Sequence, residues 1–331
     1  MINRPPATHR RIARATSWLA CLVVACLASP GLAPAQDRVG PVVDIHSDRI
    51  ILMDLEQAGD RLLAVGERGF VLLSDDAGKT WKAVPTPVTR TLTGLAFKDA
   101  RSGVAVGHGA SILRTADAGQ SWQQVRIDEA GTDSLLGVTH LADDHFIAYG
   151  AFGLLFDSAD AGRTWVRRTV IAEDFDRHIS QVLEVDGTLL LVAESGSLAR
   201  STDGGVTWMQ MTSPYAGSFF GALETRDKAV LVFGMRGNVY RTTDLGVTWQ
   251  KIETGTTASL MSGRQLADGR LLLVGNVGLL AQSRDDGRTV ELHWSPASRG
   301  FASLIETPAG ILLAGESGVT RLDAAWLAKN P

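Results

Sequence analysis

Only two cysteines occur in 331 residues, Cys21 and Cys26, and both fall within the first 35 positions. Those positions read as a secretory signal. Arg4, Arg10, Arg11 and Arg14 make a basic start without acids, Trp18 to Leu27 is an apolar run too short to span a bilayer, and Ala33-Pro34-Ala35 offers a cleavage site before Gln36. An exported, periplasmic protein is the expectation, with a lipoprotein anchored at Cys26 after "VVAC" as the alternative. Residues 36–331 then hold no thiol, which excludes disulfides, thiol catalysis and cysteine-ligated metals. Removing residues 1–35 takes four basic residues and no acid, so the net charge moves from −4 to −8. A chain this acidic is not expected to bind nucleic acid. Histidine is sparse too: none of His46, His108, His140, His145, His178 and His293 pairs with another at i, i+2 or i, i+4. "THLADDHF" (Thr139 to Phe146) reads as a solvated turn, with a metal site as the alternative. With no phosphate-binding or dinucleotide loop either, no cofactor and no metal are expected.

What the sequence has in abundance is itself. "SDDAGKTW" (Ser74 to Trp81) returns as "TADAGQSW", "SADAGRTW", "STDGGVTW" and "TTDLGVTW", and a sixth copy, "SRDDGRTV", has lost its Trp. Their aspartates, Asp76, Asp117, Asp160, Asp203, Asp244 and Asp285, are spaced 41, 43, 43, 41 and 41 residues apart. Ten residues before each lies Gly66, Gly107, Gly150, Ala193, Gly234 or Gly275, closing an apolar run. A seventh run, Ile311 to Gly318, follows the sixth by 40 residues. Each unit has room for four short strands, as in "LTGLAF", "GVAVG", "SILRT" and "WQQVR" of the second copy. Four antiparallel strands at this period make a propeller blade. The expected fold is therefore an all-β, seven-bladed propeller occupying residues 36–331. Too few residues follow Asp323 for a last outer strand, so "GPVVDIH" (Gly40 to His46) is expected to supply it and close the ring. Gly-x-x-Gly between the second and third strands suits a two-residue hairpin.

The boxed residues read as a hairpin clasp. Asp accepts from backbone N–H groups two residues on, glycine permits a left-handed turn, and Trp81, Trp122, Trp165, Trp208 and Trp249 bury a ring between sheets. Five copies of one clasp are five structural joints. Calcium would need more oxygen ligands than the one or two carboxylates each box offers.

S/T-x-D-x-G-x-T-W is the Asp-box of BNR repeats. Coupled to "VG-x-x-G" and written over seven units, it resembles the photosystem II assembly and stability factor family, over roughly residues 40–325. The resemblance implies a non-enzymatic propeller that binds protein and helps to assemble a membrane complex, in a thylakoid-lumen-like compartment if the host is photosynthetic. Family members are similar in carrying arginine three residues before the box Asp and in having a basic surface patch. Here Arg114, Arg200 and Arg241 keep that register, whereas Leu73, Asp157 and Gln282 break it. Such an arginine can pair with a neighbouring blade's acid.

A sialidase-like carbohydrate-active enzyme or glycan-binding protein is the alternative, since sialidases share the box. However, no Arg-Ile-Pro motif occurs. Tyr149 and Tyr240 fall in core patterns, leaving Tyr215 as the loop tyrosine. The expectation is no enzyme, a monomer, and docking to an envelope membrane complex, with peripheral membrane association compatible. Candidate contacts lie on the second-to-third-strand tips and the connections between blades: Arg68, His108, Phe152, Arg177, Met235, Arg236 and Arg299. Phe152, Met235 and Val277 are expected to form an apolar streak. Trp294 is expected to replace the ring that the sixth box lacks.

Overall fold

The computed structural model describes residues 46–322, apart from residues 128, 130, 296 and 297. The leader read at residues 1–35, Cys26 and all but the last residue of Gly40–His46 lie outside the described residues. The described chain forms seven antiparallel sheets, six of four strands and one of three. In every sheet the strands lie side by side in chain order, as in the first blade with Leu52–Ala58, Arg61–Gly66, Phe70–Ser74 and Lys82–Pro85. The first strand of each blade touches the first strand of the next, and Leu52–Ala58 also touches Phe301–Thr307 of the seventh blade. The ring is therefore closed around a central channel: a seven-bladed β-propeller.

The apolar residues settle into seven layers, one between each pair of neighbouring blades. In the second strand of blade 1, Leu63 and Val65 pack toward blade 2, while Leu62 and Ala64 pack toward blade 7. Alternation along a strand with both faces covered explains why the second strands read as unbroken apolar runs. The layer between blades 7 and 1 joins Ile305, Leu312 and Ala314 to Ile50, Leu52 and Leu72. Among the described residues, the seventh blade has three strands, and Val319 N–H donates to Ser47 O at 2.9 Å.

The turn between the second and third strands is a two-residue hairpin only in blade 7, where Gly315 pairs with Gly318. Five other blades use a single 3₁₀ turn or its equivalent, such as Glu67–Gly69, in which the two central residues are left-handed. The glycine that ends the second strand is needed for close approach. A Cβ on Gly66 would lie 2.0 Å from Ile51 O, because Glu67 N–H bonds that same carbonyl.

Candidate protein-docking face

Up-and-down blades give the propeller two faces. One carries the boxes and the first-to-second-strand turns; Ala118 N–H of the second box bonds Arg101 O of such a turn. The other carries the second-to-third-strand tips and the connections between blades; Gly153 N–H at one tip bonds Arg177 O in a connection.

On the box face, all six boxes share one geometry. In the first, Ser74 Oγ donates to Asp76 Oδ1 (2.8 Å) and accepts from Gly78 N–H (2.8 Å), while Asp76 accepts from Lys79 N–H, Thr80 N–H and Thr80 Oγ1. The aspartate therefore reaches three and four residues on, not two, because Ala77 and Gly78 are both left-handed and fold the turn back over it. Hydrogen bonds from Thr207 Oγ1, from its N–H and from Ser201 hold the Asp203 carboxyl down to about 2, and the equivalent bonds do the same for Asp244. The box glycine and tryptophan face the preceding blade. Trp122 is buried with Leu63 and Leu73, its indole N–H on Gly119 O at 3.0 Å. A Cβ on Gly119 would lie 2.5 Å from Leu63 Cδ2.

Two arginines of the box register bond carbonyls of the following blade. Arg114 Nε donates to Ala161 O (2.8 Å) and Arg241 Nε to Asp286 O (3.0 Å), each the left-handed residue after a box Asp. Arg321 Nη2 makes the same bond to Ala77 O (2.6 Å), tying blade 7 to blade 1. Where Leu73 breaks the register, Arg61 on the adjacent strand reaches Ala118 O instead. Arg114 and Arg241 thus bond a neighbouring carbonyl, Arg241 pairs in addition with the acid Asp227 of its own blade, and both are committed to these contacts. Asp157, which breaks the register in blade 3, is held by Arg168 (3.1 Å), with His145 Nε2 3.0 Å from its other oxygen.

Two expectations about packing are corrected. Trp294 is 50% exposed at the end of its strand, and Val290 stands in the place of the lost box Trp, packed on the layer between blades 5 and 6. Tyr215 is no free loop residue: its ring stacks on Tyr240 and meets Phe219 edge-on. In "THLADDHF", Asp144 accepts from Lys98, His145 Nε2 lies 3.0 Å from Asp157 Oδ1 and His140 Nε2 meets Asp143 O.

The opposite face holds every candidate contact residue. Arg68, His108, Phe152, Arg177, Arg236 and Arg299 are exposed and Met235 is half-buried. Phe152, 54% exposed, lies on the His178 ring at 5.0 Å, and His178 Nδ1 meets Glu194 Oε1 at 2.9 Å; Arg177 is beside them. Phe152, Met235 and Val277 stand on blades 3, 5 and 6, with the Ser195 tip of blade 4 between the first two, so they form no continuous streak. Four of the tips put a bulky side chain in the left-handed region: Arg68 (φ 65°), Phe152 (53°), Arg236 (57°) and Val277 (52°). Each costs roughly 1–2 kcal/mol relative to glycine, and such strain concentrates at functional sites.

A feature of this face was not read from the sequence. Each of the seven first strands has a β-bulge at its start, between Leu52 and Asp54 in blade 1 and at the matching place in the rest. The residues stepped over are Met53, Thr93, Leu136, Ser180, Phe220, Met261 and Ala302. A bulge re-aims the side chain that the ladder leaves out. Because the first strands ring the channel, the bulges surround its mouth on the tip face. Deeper in the channel, Asp54 accepts from Leu55 N–H, Leu95 N–H and Ser303 Oγ, which ties blades 1, 2 and 7 together. Burial pushes the neighbouring Glu56 carboxyl up to about 7.

The model of one protein family, described as photosynthesis system II assembly factor YCF48, matches residues 73–295. No curated protein matches the chain. Among solved structures, a YCF48 bound to D1 peptide is similar at 17% identity with a TM-score of 0.69, over 84% of this chain and 97% of that one. YCF48 from Cyanidioschyzon merolae is similar at 15% identity and 0.68, over 83% and 96%. Virginiamycin B lyase from Staphylococcus aureus is similar in fold at 12% identity with a TM-score of 0.70, over 83% and 94%. Since the family model spans most of the repeat array, from the third strand of the first blade to the end of the sixth, the chain belongs to the YCF48 family of photosystem II assembly factors.

Proposed function

We propose that the protein is an exported, non-catalytic propeller that binds a protein client and assists the assembly of an envelope membrane complex. Docking is rigid-body, through the face that carries the second-to-third-strand tips. The observation that carries this reading is the division of labour between the faces. On the box face, aspartates, glycines, tryptophans and arginines are spent on joints between blades. On the tip face, Arg68, Phe152, Arg236 and Val277 hold strained left-handed turns with their side chains in solvent. Loops on a rigid scaffold are where recognition usually resides. Family membership supports an assembly role, and the D1 peptide bound to one YCF48 supports a polypeptide as the client. Asp54 has its oxygens occupied by two backbone N–H groups and a serine, which favours a structural over a catalytic part for that channel carboxylate.

The test is an affinity capture from native membranes with residues 36–331 as bait. Recovery of one membrane complex, reduced by Phe152→Ala combined with Arg236→Ala, is the expected result. A blank capture together with specific binding on a glycan array would overturn the reading. Detection of the precursor and the shortened chain in envelope fractions checks the export step.

A further inference from the structure

Four of the seven bulges place a large apolar side chain outside the core layers, whereas Thr93 at a fifth bonds Val106 O and Leu135 O. Met53, Leu136, Phe220 and Met261 are half-buried, yet none belongs to any of the seven core layers. Neighbouring bulges are close: Thr93 Oγ1 reaches Leu135 O, beside Leu136, at 2.9 Å. The mouth thus carries a broken apolar collar of four long or aromatic side chains on blades 1, 3, 5 and 6, with Thr93, Ser180 and Ala302 between them; two of the four are methionines, which adapt their shape to a partner.

The charges around this collar are unequal in their commitments. The Arg68 tip touches the first strand of blade 2, and the Arg236 tip touches the strand of blade 6 that carries Met261. Arg90 lies along the tip at Gly109. Among the described residues, none of these three arginines makes an ion pair. The tip carboxylates are mostly engaged: Glu67 accepts from Ile51 N–H and Glu194 holds His178, which leaves Glu316. Uncommitted guanidinium groups beside half-buried apolar side chains at the mouth are complementary to a segment that offers both carboxylates and a large apolar side chain.

We infer that the channel mouth is the client subsite, and that its occupant is an extended acidic peptide segment which inserts an apolar side chain into the collar while its carboxylates meet Arg68, Arg90 and Arg236. This rests on the protein-binding reading above and names the chemistry of the client at that face.

The experiment is fluorescence anisotropy with three labelled twelve-residue peptides in a Gly/Ser background. The first carries glutamates flanking a central Phe-Leu pair, the second replaces that pair with Ser-Ser, and the third replaces glutamate with lysine. The first peptide is expected to bind about tenfold or more tightly than either of the others, about 1.4 kcal/mol. Met261→Ser with Phe220→Ser, and separately Arg68→Glu with Arg236→Glu, should each remove about tenfold or more, as interface anchors do. Val247→Ser, exposed on the box face, should leave binding unchanged. The arginine pair is solvent-exposed, so it keeps the test decisive if the collar variant fails to fold. Equal binding of the three peptides, no binding, or binding indifferent to both variants overturns the inference. So does phosphatidylglycerol vesicle binding that the variants abolish without any peptide binding. A membrane complex captured equally well by wild type and the arginine variant would retain the protein-binding reading while overturning the mouth as its subsite.

Discussion

Gly119→Ala isolates the joint between two blades. Gly119 has φ +79°, and a Cβ there would lie 2.5 Å from Leu63 Cδ2 and 3.2 Å from Leu73 Cδ2, both on the preceding blade. Gly187 has nearly the same backbone, φ +76°, but a Cβ there would meet nothing within 4 Å. Alanine in the left-handed region costs about 1 kcal/mol at either position. Overpacking adds about 1–3 kcal/mol at position 119 alone. Gly119→Ala should therefore lose about 2–4 kcal/mol and Gly187→Ala about 1. Leu63→Val removes the methyl groups that collide. Alone it costs about 1 kcal/mol, yet combined with Gly119→Ala it should lose less than the sum of the two. The assay is equilibrium urea unfolding of residues 36–331 followed by tryptophan fluorescence and far-ultraviolet circular dichroism, whose coincidence licenses a two-state treatment. Equal losses for the two glycines within about 0.5 kcal/mol, or strict additivity with Leu63→Val, would refute the claim that the box is an inter-blade joint.

Further outcomes follow from the same contacts. Arg321→Met removes the bond to Ala77 O that helps hold blade 7 to blade 1, and should cost about 1.5–3 kcal/mol in the same titration. Trp208→Ala should cost about 3–5 kcal/mol because the ring is buried between blades, whereas Trp294→Ala, half exposed, should stay within about 0.5 kcal/mol. The box carboxylates Asp203 and Asp244 are held at about 2, below their unfolded value, so their contribution is complete above about pH 4 and disappears as pH falls through 2. Urea midpoints measured from pH 6 down to pH 2 should show that loss, and Asp203→Asn should flatten part of it. Glu56, pushed up to about 7, acts with the opposite sign: its folded state favours the proton, so stability declines as pH rises from about 4.5 to 7. Glu56→Gln should therefore raise the midpoint at pH 8 and leave it unchanged at pH 4.

The repeat was enough to give the fold. Six aspartates at near-constant spacing and seven apolar runs specify seven identical local problems, and only a ring of blades covers both faces of every second strand. The boxes were legible as joints for the same reason: Asp, Gly and Trp act through local turn geometry that recurs with the sequence. What the box side chains touch was decided by the tertiary structure. Arg61 replaces the missing register arginine from an adjacent strand, and the arginines bond carbonyls one blade away. Val290, rather than Trp294, fills the gap in the sixth box. The collar was not legible at all. Met53, Leu136, Phe220 and Met261 sit one residue after a deeply buried Leu or Phe in runs that read as ordinary inner strands. A bulge leaves no motif in the side chains; it is a step in the backbone ladder. Sequence determined how each blade is built, because those interactions are short-range and repeat. Only the closed ring decided which side chains face one another across blades and which are left at the mouth, because those positions are set by the packing of seven sheets against one another.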